Sequence, residues 1–246
     1  MSSLYFREDL ESTGVGDSVV LRGPEAKHAV SVSRLRVGET TSIGNGRGLI
    51  ATGTVVRSEP GELEIRVDSV VVHPETRPSL VLVQALAKGD RDELAIQAAT
   101  ELGVDRIVPW GAERSISRWQ GDKAAKGRER WQLIVREAAK QSIRSRVPEV
   151  SEVVDAKGMT ALVSGRTVLV LEPTAALSLS ELDRAVFHDS EELVLVVGPE
   201  GGISPAERER LEAAGATEVR IGSGVLRTST AGPSAIAALN VLLGRW

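Results

Sequence analysis

Apolar residues are spaced in two different ways along this chain. Over residues 1–72 they fall in short segments interrupted by glycine, at 19–21, 40–56 and 63–72. In the last of these Leu63, Ile65 and Val67 alternate with Glu64, Arg66 and Asp68. That period of two marks a half-buried strand. Residues 44–48, GNGRG, form a hairpin-type turn, because glycine and asparagine tolerate positive φ. The region predicts a small β-barrel or sandwich. His73-Pro74-Glu75-Thr76-Arg77-Pro78 reads as a linker, since two prolines resist both helix and central strand.

From residue 79 the spacing changes. Near-continuous apolar runs at 79–87, 106–110, 167–173 and 192–198, with a shorter one at 217–222, predict strands. Unbroken runs suit parallel strands covered on both faces. Between them lie helical signals. Asp90 and Glu93 suggest a capping pair, Ala95, Ala98, Ala99 and Leu102 an apolar stripe, and Gly103 a stop. Residues 121–146 read as a long basic helix. Ser204, Pro205 and Glu207 form a capping box with proline at the first helical position, and Gly215 closes that helix. Thr230 to Leu243 reads as a last helix. Strand and helix in alternation predict an α/β domain with a parallel sheet.

Composition narrows the class. The 246 residues are 41% hydrophobic and include no cysteine, which excludes disulfides, thiolate zinc sites and thiol nucleophiles. The three histidines, His28, His73 and His188, lack metal-ligand spacing, and no metal is expected. No apolar run reaches the ~18 residues of a membrane span, and MSSLYFREDLES has no apolar signal core. A cytoplasmic protein with no membrane association is expected. Net charge is −4, yet residues 114–146 carry ten Lys or Arg against three acids. Residues 172–218 carry three Arg against eleven acids. The basic stretch is a footprint for a polyanion or, equally, a solvated helix face.

Three strand exits carry the candidate chemistry. LVLVVGPEGGISPAE (193–207) sets a glycine loop between a buried strand and a capped helix, at the carboxyl end where parallel sheets bind ligands. It lacks the lysine and Ser/Thr of a phosphate loop, and Glu200 repels phosphate, so a cationic or neutral ligand fits better. A tight turn is the plain alternative. IGSGVLRTSTAGPSA (221–235) repeats strand, glycine loop and helix, with Arg227 among hydroxyls. Such an arginine binds a carboxylate or a developing anion, or simply pairs with an acid such as Glu200. LVLEPTAA (169–176) is the third exit.

GPEGGISPAE with IGSGVLRTSTA resembles the knotted SPOUT-class methyltransferases, and more narrowly the bacterial 16S ribosomal RNA uracil-N3 methyltransferases. HAVSVSRLRVGE (28–39), QALAKGDRDELAIQAATELGV (84–104) and EAAKQSIRSRVPEV (137–150) resemble further motifs of that family, in order. The resemblance implies a PUA-like β-barrel over 1–73, binding RNA, and a methyltransferase domain over 74–246 tied in a trefoil knot, which dimerises through its C-terminal region. It implies S-adenosylmethionine held by Leu171, Gly198, Gly201, Ile221, Gly222 and Leu226, with Glu172, Val197, Gly202 and Val225 beside them. It implies as partner 16S ribosomal RNA, free or in an assembled small subunit. Arg34, Arg36, Arg136, Lys140, Arg144 and Arg146 then face RNA phosphates, and Gln141 and Ser142 the target nucleotide. Lys88 and Arg91 are either further RNA contacts or solvated loop charges.

Under this resemblance Arg227 is the candidate catalytic cation and Glu200 the weaker candidate base. Ser229 stands where family members often carry glutamate. Two rivals stay open: a nucleotide-binding enzyme of another class, which requires ATP or NAD binding, and a non-catalytic RNA-binding ribosome factor with an occluded pocket.

Overall fold

The computed structural model describes residues 3–188 and 190–246. Two units divide the chain, one formed by Met1–Glu75 with Ala139–Val147, the other by Thr76–Ala138 with Pro148–Trp246.

In the first unit β1 (Leu4–Phe6), β2 (Ser18–Arg22), β3 (Thr40–Gly44), β4 (Leu49–Glu59) and β5 (Glu62–Val72) form one sheet in the order β1-β3-β4-β5-β2. β1 runs parallel to β3 and the other pairs are antiparallel. The alternation in β5 is real: Leu63, Ile65 and Val67 are buried with Val19, Leu21 and Ile43, while Arg66 and Asp68 face water. Each such aliphatic side chain contributes about 1.5–3 kcal/mol on burial. The turn at 45–48 joins β3 to β4, with Asn45 Oδ1 accepting from the backbone N–H of Arg47 at 2.8 Å and of Leu49 at 3.1 Å. Between β2 and β3 the chain makes a short helix, α1 (Gly23–Lys27), continued by a π-helical turn at His28–Val32. Its span is too brief for a periodic signal. Exposed residues follow it, Arg34 and Arg36 among them.

In the second unit β6 (Ser79–Ala85), α2 (Arg91–Glu101), β7 (Arg106–Trp110), α3 (Asp122–Gln141), β8 (Glu149–Val150), α4 (Ala156–Val163), β9 (Thr167–Leu171), α5 (Ala185–His188), β10 (Glu192–Val197), α6 (Pro205–Ala213), β11 (Thr217–Val219) and α7 (Thr228–Leu242) follow one another. The last residues of α3 belong with the first unit. The six strands make a wholly parallel sheet in the order β11-β9-β10-β6-β7-β8. Beyond their first residues its central strands are buried, as their unbroken apolar runs require. The chain builds outward from β6 to β8, crosses to β9, and then inserts β10 between β9 and β6. That reversal of strand order is a switch point, where the loops leave the carboxyl ends of the strands on diverging paths.

One expected cap is absent. Asp90 adopts a left-handed conformation at φ 60 and its side chain caps nothing. The carboxylate of Asp92, inside the first turn, accepts instead from the backbone N–H of Ala87 at 3.0 Å and of Glu93 at 2.9 Å. Burial pushes the Asp92 carboxyl up, against these two hydrogen bonds. Glu93 turns outward to pair with Arg130 of α3. The capping box at Ser204 and Glu207 is present as expected.

Candidate active site

The exits of β9, β10 and β11 enclose one cavity of about 420 Å³. That size falls within the range of small-molecule sites. Its walls follow from local rules. At the β9 exit the backbone N–H of Glu172 donates to the Val219 carbonyl at 3.0 Å, and the Glu172 carboxylate accepts from Thr174 Oγ1 at 2.7 Å. Arg220 holds the following turn by donating to the carbonyls of Ala175 and Ala176.

The β10 exit is fixed from both sides. At Gly198 any Cβ would sit 2.6 Å from Ile203 Cγ1, so the loop can double back on its strand only with glycine there. Ser204 Oγ accepts from the Glu207 N–H at 3.2 Å and donates to Glu113 Oε2 at 2.6 Å. Glu207 Oε1 in turn accepts from the Glu113 backbone N–H at 2.8 Å. Arg114 donates to the Gly201 carbonyl at 3.1 Å. The segment after β7 therefore clamps the glycine loop at its far side. At the β11 exit the chain runs through Gly222 and Gly224 to Arg227, which precedes the first turn of α7. A Cβ built at Gly222 meets nothing within 4 Å, so this stretch of backbone lies open to the cavity.

Most of the expected residues are brought together. Leu171, Glu172, Val197, Gly198, Gly202, Ile221, Gly222, Val225 and Leu226 all line the cavity, as do Glu200 and Arg227. Gly201 does not, because its carbonyl is turned to Arg114. Arg91 does line it and belongs to this wall. Glu200 and Arg227 do not pair with each other. Glu200 Oε1 accepts from Arg91 Nη1 at 3.1 Å and from the Lys88 backbone N–H at 3.2 Å. Burial works to raise the Glu200 carboxyl, but its own backbone N–H, that of Lys88 and the Arg91 guanidinium outweigh this and hold it below the ordinary 4.5. Arg227 is exposed and, among the described residues, forms no ion pair or side-chain hydrogen bond.

The basic stretch resolves unevenly. Lys140 is buried, with Nζ 3.1 Å from Glu25 Oε1, so its ammonium is spent inside the first unit and does not face RNA. The helical period that grouped it with Arg136 and Arg144 carries no information about Glu25, which lies far away in sequence. Arg146 is bound to the His73 carbonyl at 3.1 Å and faces Glu75 at 3.5 Å. Arg136 pairs with Glu137 at 3.2 Å. Arg34, Arg36, Lys88 and Gln141 are exposed, and Ser142 and Arg144 half-buried. The side chain of His188 lies outside the described residues.

Sequence reasoning missed Gln84 and Thr228. Thr228 Oγ1 donates to the Gly198 carbonyl at 2.9 Å and accepts from Gln84 Nε2 at 2.9 Å. A glutamine inside an otherwise apolar strand was the signal available.

Comparison with known proteins agrees with this architecture. Residues 74–240 match an RNA methyltransferase domain family, and residues 21–68 match an RNA methyltransferase PUA domain family. A ribosomal RNA small subunit methyltransferase E from Mycobacterium bovis is 40% identical, over 100% of this chain and 94% of its own. The enzyme of that name from Bacillus subtilis is 30% identical over 89% and 88% of the two chains. Among solved structures, the ribosomal RNA small subunit methyltransferase E of Neisseria gonorrhoeae bound to S-adenosyl methionine superposes with a TM-score of 0.85 at 30% identity, covering 98% of each chain. With a PUA-like sheet, a parallel α/β unit and a cavity built from three strand exits, this chain belongs to the ribosomal RNA small subunit methyltransferase E family.

Proposed function

We propose that the protein transfers a methyl group from S-adenosylmethionine to N3 of a uracil in 16S ribosomal RNA. The observation that carries this reading is the cavity at the sheet's switch point: apolar and backbone walls, with an arginine beside it that makes no ion pair among the described residues. The residues fit such a donor. Leu171, Val197, Ile221 and Leu226 offer apolar surface, and the open backbone at Gly222 offers hydrogen-bonding groups to a purine or its ribose. The cavity holds no lysine that would cradle a phosphate chain. When bound, the sulfonium supplies an electrophilic methyl group for in-line displacement.

The protein's task is then to make N3 a nucleophile. Neutral uracil bears a proton there. Arg227 stabilises the anion by donating to a carbonyl oxygen of the base as negative charge develops on it. The N3 proton leaves to water. Neither carboxylate on the cavity wall is poised to take it, since Glu172 is bound by Thr174 and Glu200 by Arg91. Glu200 serves as an anchor that joins the loop after β6 to the loop after β10. Ser229 supplies no carboxylate either.

RNA reaches this site on two surfaces in the same proposal. Residues 1–73, with Arg34 and Arg36 exposed after the π-helical turn, act as the RNA-binding domain, and residues 74–246 as the catalytic domain. Gln141 and Ser142 approach the target nucleotide, Arg144 faces RNA phosphates, and Arg136 and Lys88 add positive charge. A homodimer forms through the C-terminal region, where Val225, Val241 and Trp246 leave apolar surface exposed at 81%, 56% and 64%. The C-terminal strands and α7 form the trefoil knot, and the enzyme works in the cytoplasm.

The test is to map 16S RNA from cells lacking the gene, and then to incubate their small subunits with purified protein and S-adenosylmethionine. One uracil should lack its N3 methyl group and regain it in vitro. An unchanged methylation map, or a product methylated elsewhere, overturns the assignment.

A further inference from the structure

Gln84 has no place in the chemistry above, yet its position asks for one. It is fully buried, next to last in β6, in register with Val197 on β10 and Pro109 on β7. Every other residue of β6 from Leu80 to Ala85 is apolar. A primary amide in such a setting is costly unless its hydrogen bonds are made. Methionine or leucine of similar volume would fill the space without that cost.

The hydrogen bonds fix a direction. The Gly198 carbonyl only accepts, so Thr228 must spend its one hydroxyl proton there, at 2.9 Å. Its lone pair then accepts from Gln84 Nε2 at 2.9 Å, and the other amide proton faces the Ala85 carbonyl at 3.2 Å. Gln84 Oε1 is buried with no partner among the described residues. The amide is thus held in one sense by its donors alone. The chain of bonds links the middle of the sheet, the first residue of α7 and the carbonyl of Gly198. Thr228 and Gly198 both line the cavity, Gln84 lies behind them, and Arg227 is the residue immediately before Thr228.

We propose that Gln84 is a positioning residue: through the Thr228 hydroxyl it holds the start of α7, and with it Arg227, at a set distance from the Gly198 wall. This rests on the methyltransferase reading above. Among the described residues no partner restrains the Arg227 side chain, so its aim depends on where its backbone is pinned. A misplacement of about 1 Å costs up to a hundredfold in rate.

The variants that test this are Gln84→Met, Thr228→Val and Thr228→Ser, with turnover and cofactor KM measured on purified small subunits. Hydrogen exchange of residues 221–227 is measured in parallel. Gln84→Met and Thr228→Val should each stay folded, lose about tenfold to a hundredfold in kcat, and change cofactor KM by less than about threefold. Exchange in the loop should speed up. Because the two residues act as one link, the double variant should lose little more than the worse single one. Thr228→Ser, which keeps the hydroxyl, should recover most of the rate. Wild-type kcat in folded Gln84→Met, additive losses, or a loss confined to KM overturns the proposal. Should Gln84→Met fail to fold, the contrast of Thr228→Val with Thr228→Ser decides it, since equal loss in both sinks the hydroxyl link. If the wild-type protein transfers no methyl group, it is the function reading that fails. Loop exchange, which needs no substrate, still scores the link, and unchanged exchange in the variants refutes it.

Discussion

At Arg227 an extended loop ends and α7 begins, leaving a guanidinium with no partner among the described residues beside a cavity that is otherwise apolar or engaged. Removing one preorganised donor of this kind costs about 10²–10³ in rate. Arg227→Ala should therefore lower single-turnover methyl transfer by that factor, with S-adenosylmethionine affinity by calorimetry nearly unchanged. Glu200 answers to a different measurement. A carboxyl held below its ordinary value stays ionised through the neutral range, so it does not set a pH–rate limb there. What stability it contributes is present above the unfolded value near 4.5 and is lost as pH falls through the lower folded one. Glu200→Gln should leave the shape of the rate profile between about pH 6 and 9 unchanged while loosening the β6 and β10 loops. A limb that disappears in the variant would make Glu200 a base after all. Much of this site was legible residue by residue, because glycines, hydroxyls and a lone arginine at a strand exit announce themselves locally. Gln84 and Lys140 were not. The role of each lies in its bond to a residue distant in sequence, Thr228 and Glu25.

Elements were predicted best where their signal is contained within a few residues. The start of α6 is the clearest case. Serine, proline and glutamate at fixed offsets specify a capping box, and the structure forms it. Here the cap also carries function, because Ser204 bonds to Glu113 and so braces the glycine loop against the segment after β7. Ser204→Ala should cost about 1–2 kcal/mol in denaturant unfolding, from the lost cap and the Glu113 carboxylate left short of a donor. It should also raise the cofactor KM. Wild-type stability would mean that the brace is carried by the Glu207 hydrogen bond alone. The start of α2 departs from its signal for a related reason. Aspartate and glutamate at the right offset look like a cap, but the positive φ at Asp90 points that side chain away. Asp92 does the bonding there.

For the whole molecule, the parallel sense and five of the six strands could be read from apolar runs; the two-residue β8 and the strand order could not. Nothing local says that β10 will enter between β9 and β6. RNA binding also belongs to this scale, being a sum over separated charges. Replacing Arg34 and Arg36 together by alanine should flatten the dependence of log affinity on log salt by about 0.7 for each phosphate no longer neutralised, across RNA sequences alike. Lys140→Met should leave that slope intact and instead destabilise the fold, since it removes the buried ammonium that lies 3.1 Å from Glu25 Oε1. A changed slope in Lys140→Met would return that lysine to the RNA surface.

The insertion of β10 also sets a schedule. Until residues 192–197 have left the ribosome, β6 has one open edge and β9 has no neighbour on that side. Pairings between segments so far apart form slowly. The chain therefore spends much of its synthesis with the centre of its sheet unclosed, and the anchor on Glu200 and the β11 exit arrive only after β10. A nascent copy that ends before residue 231 therefore lacks part of the cavity wall in which a methyl donor would sit.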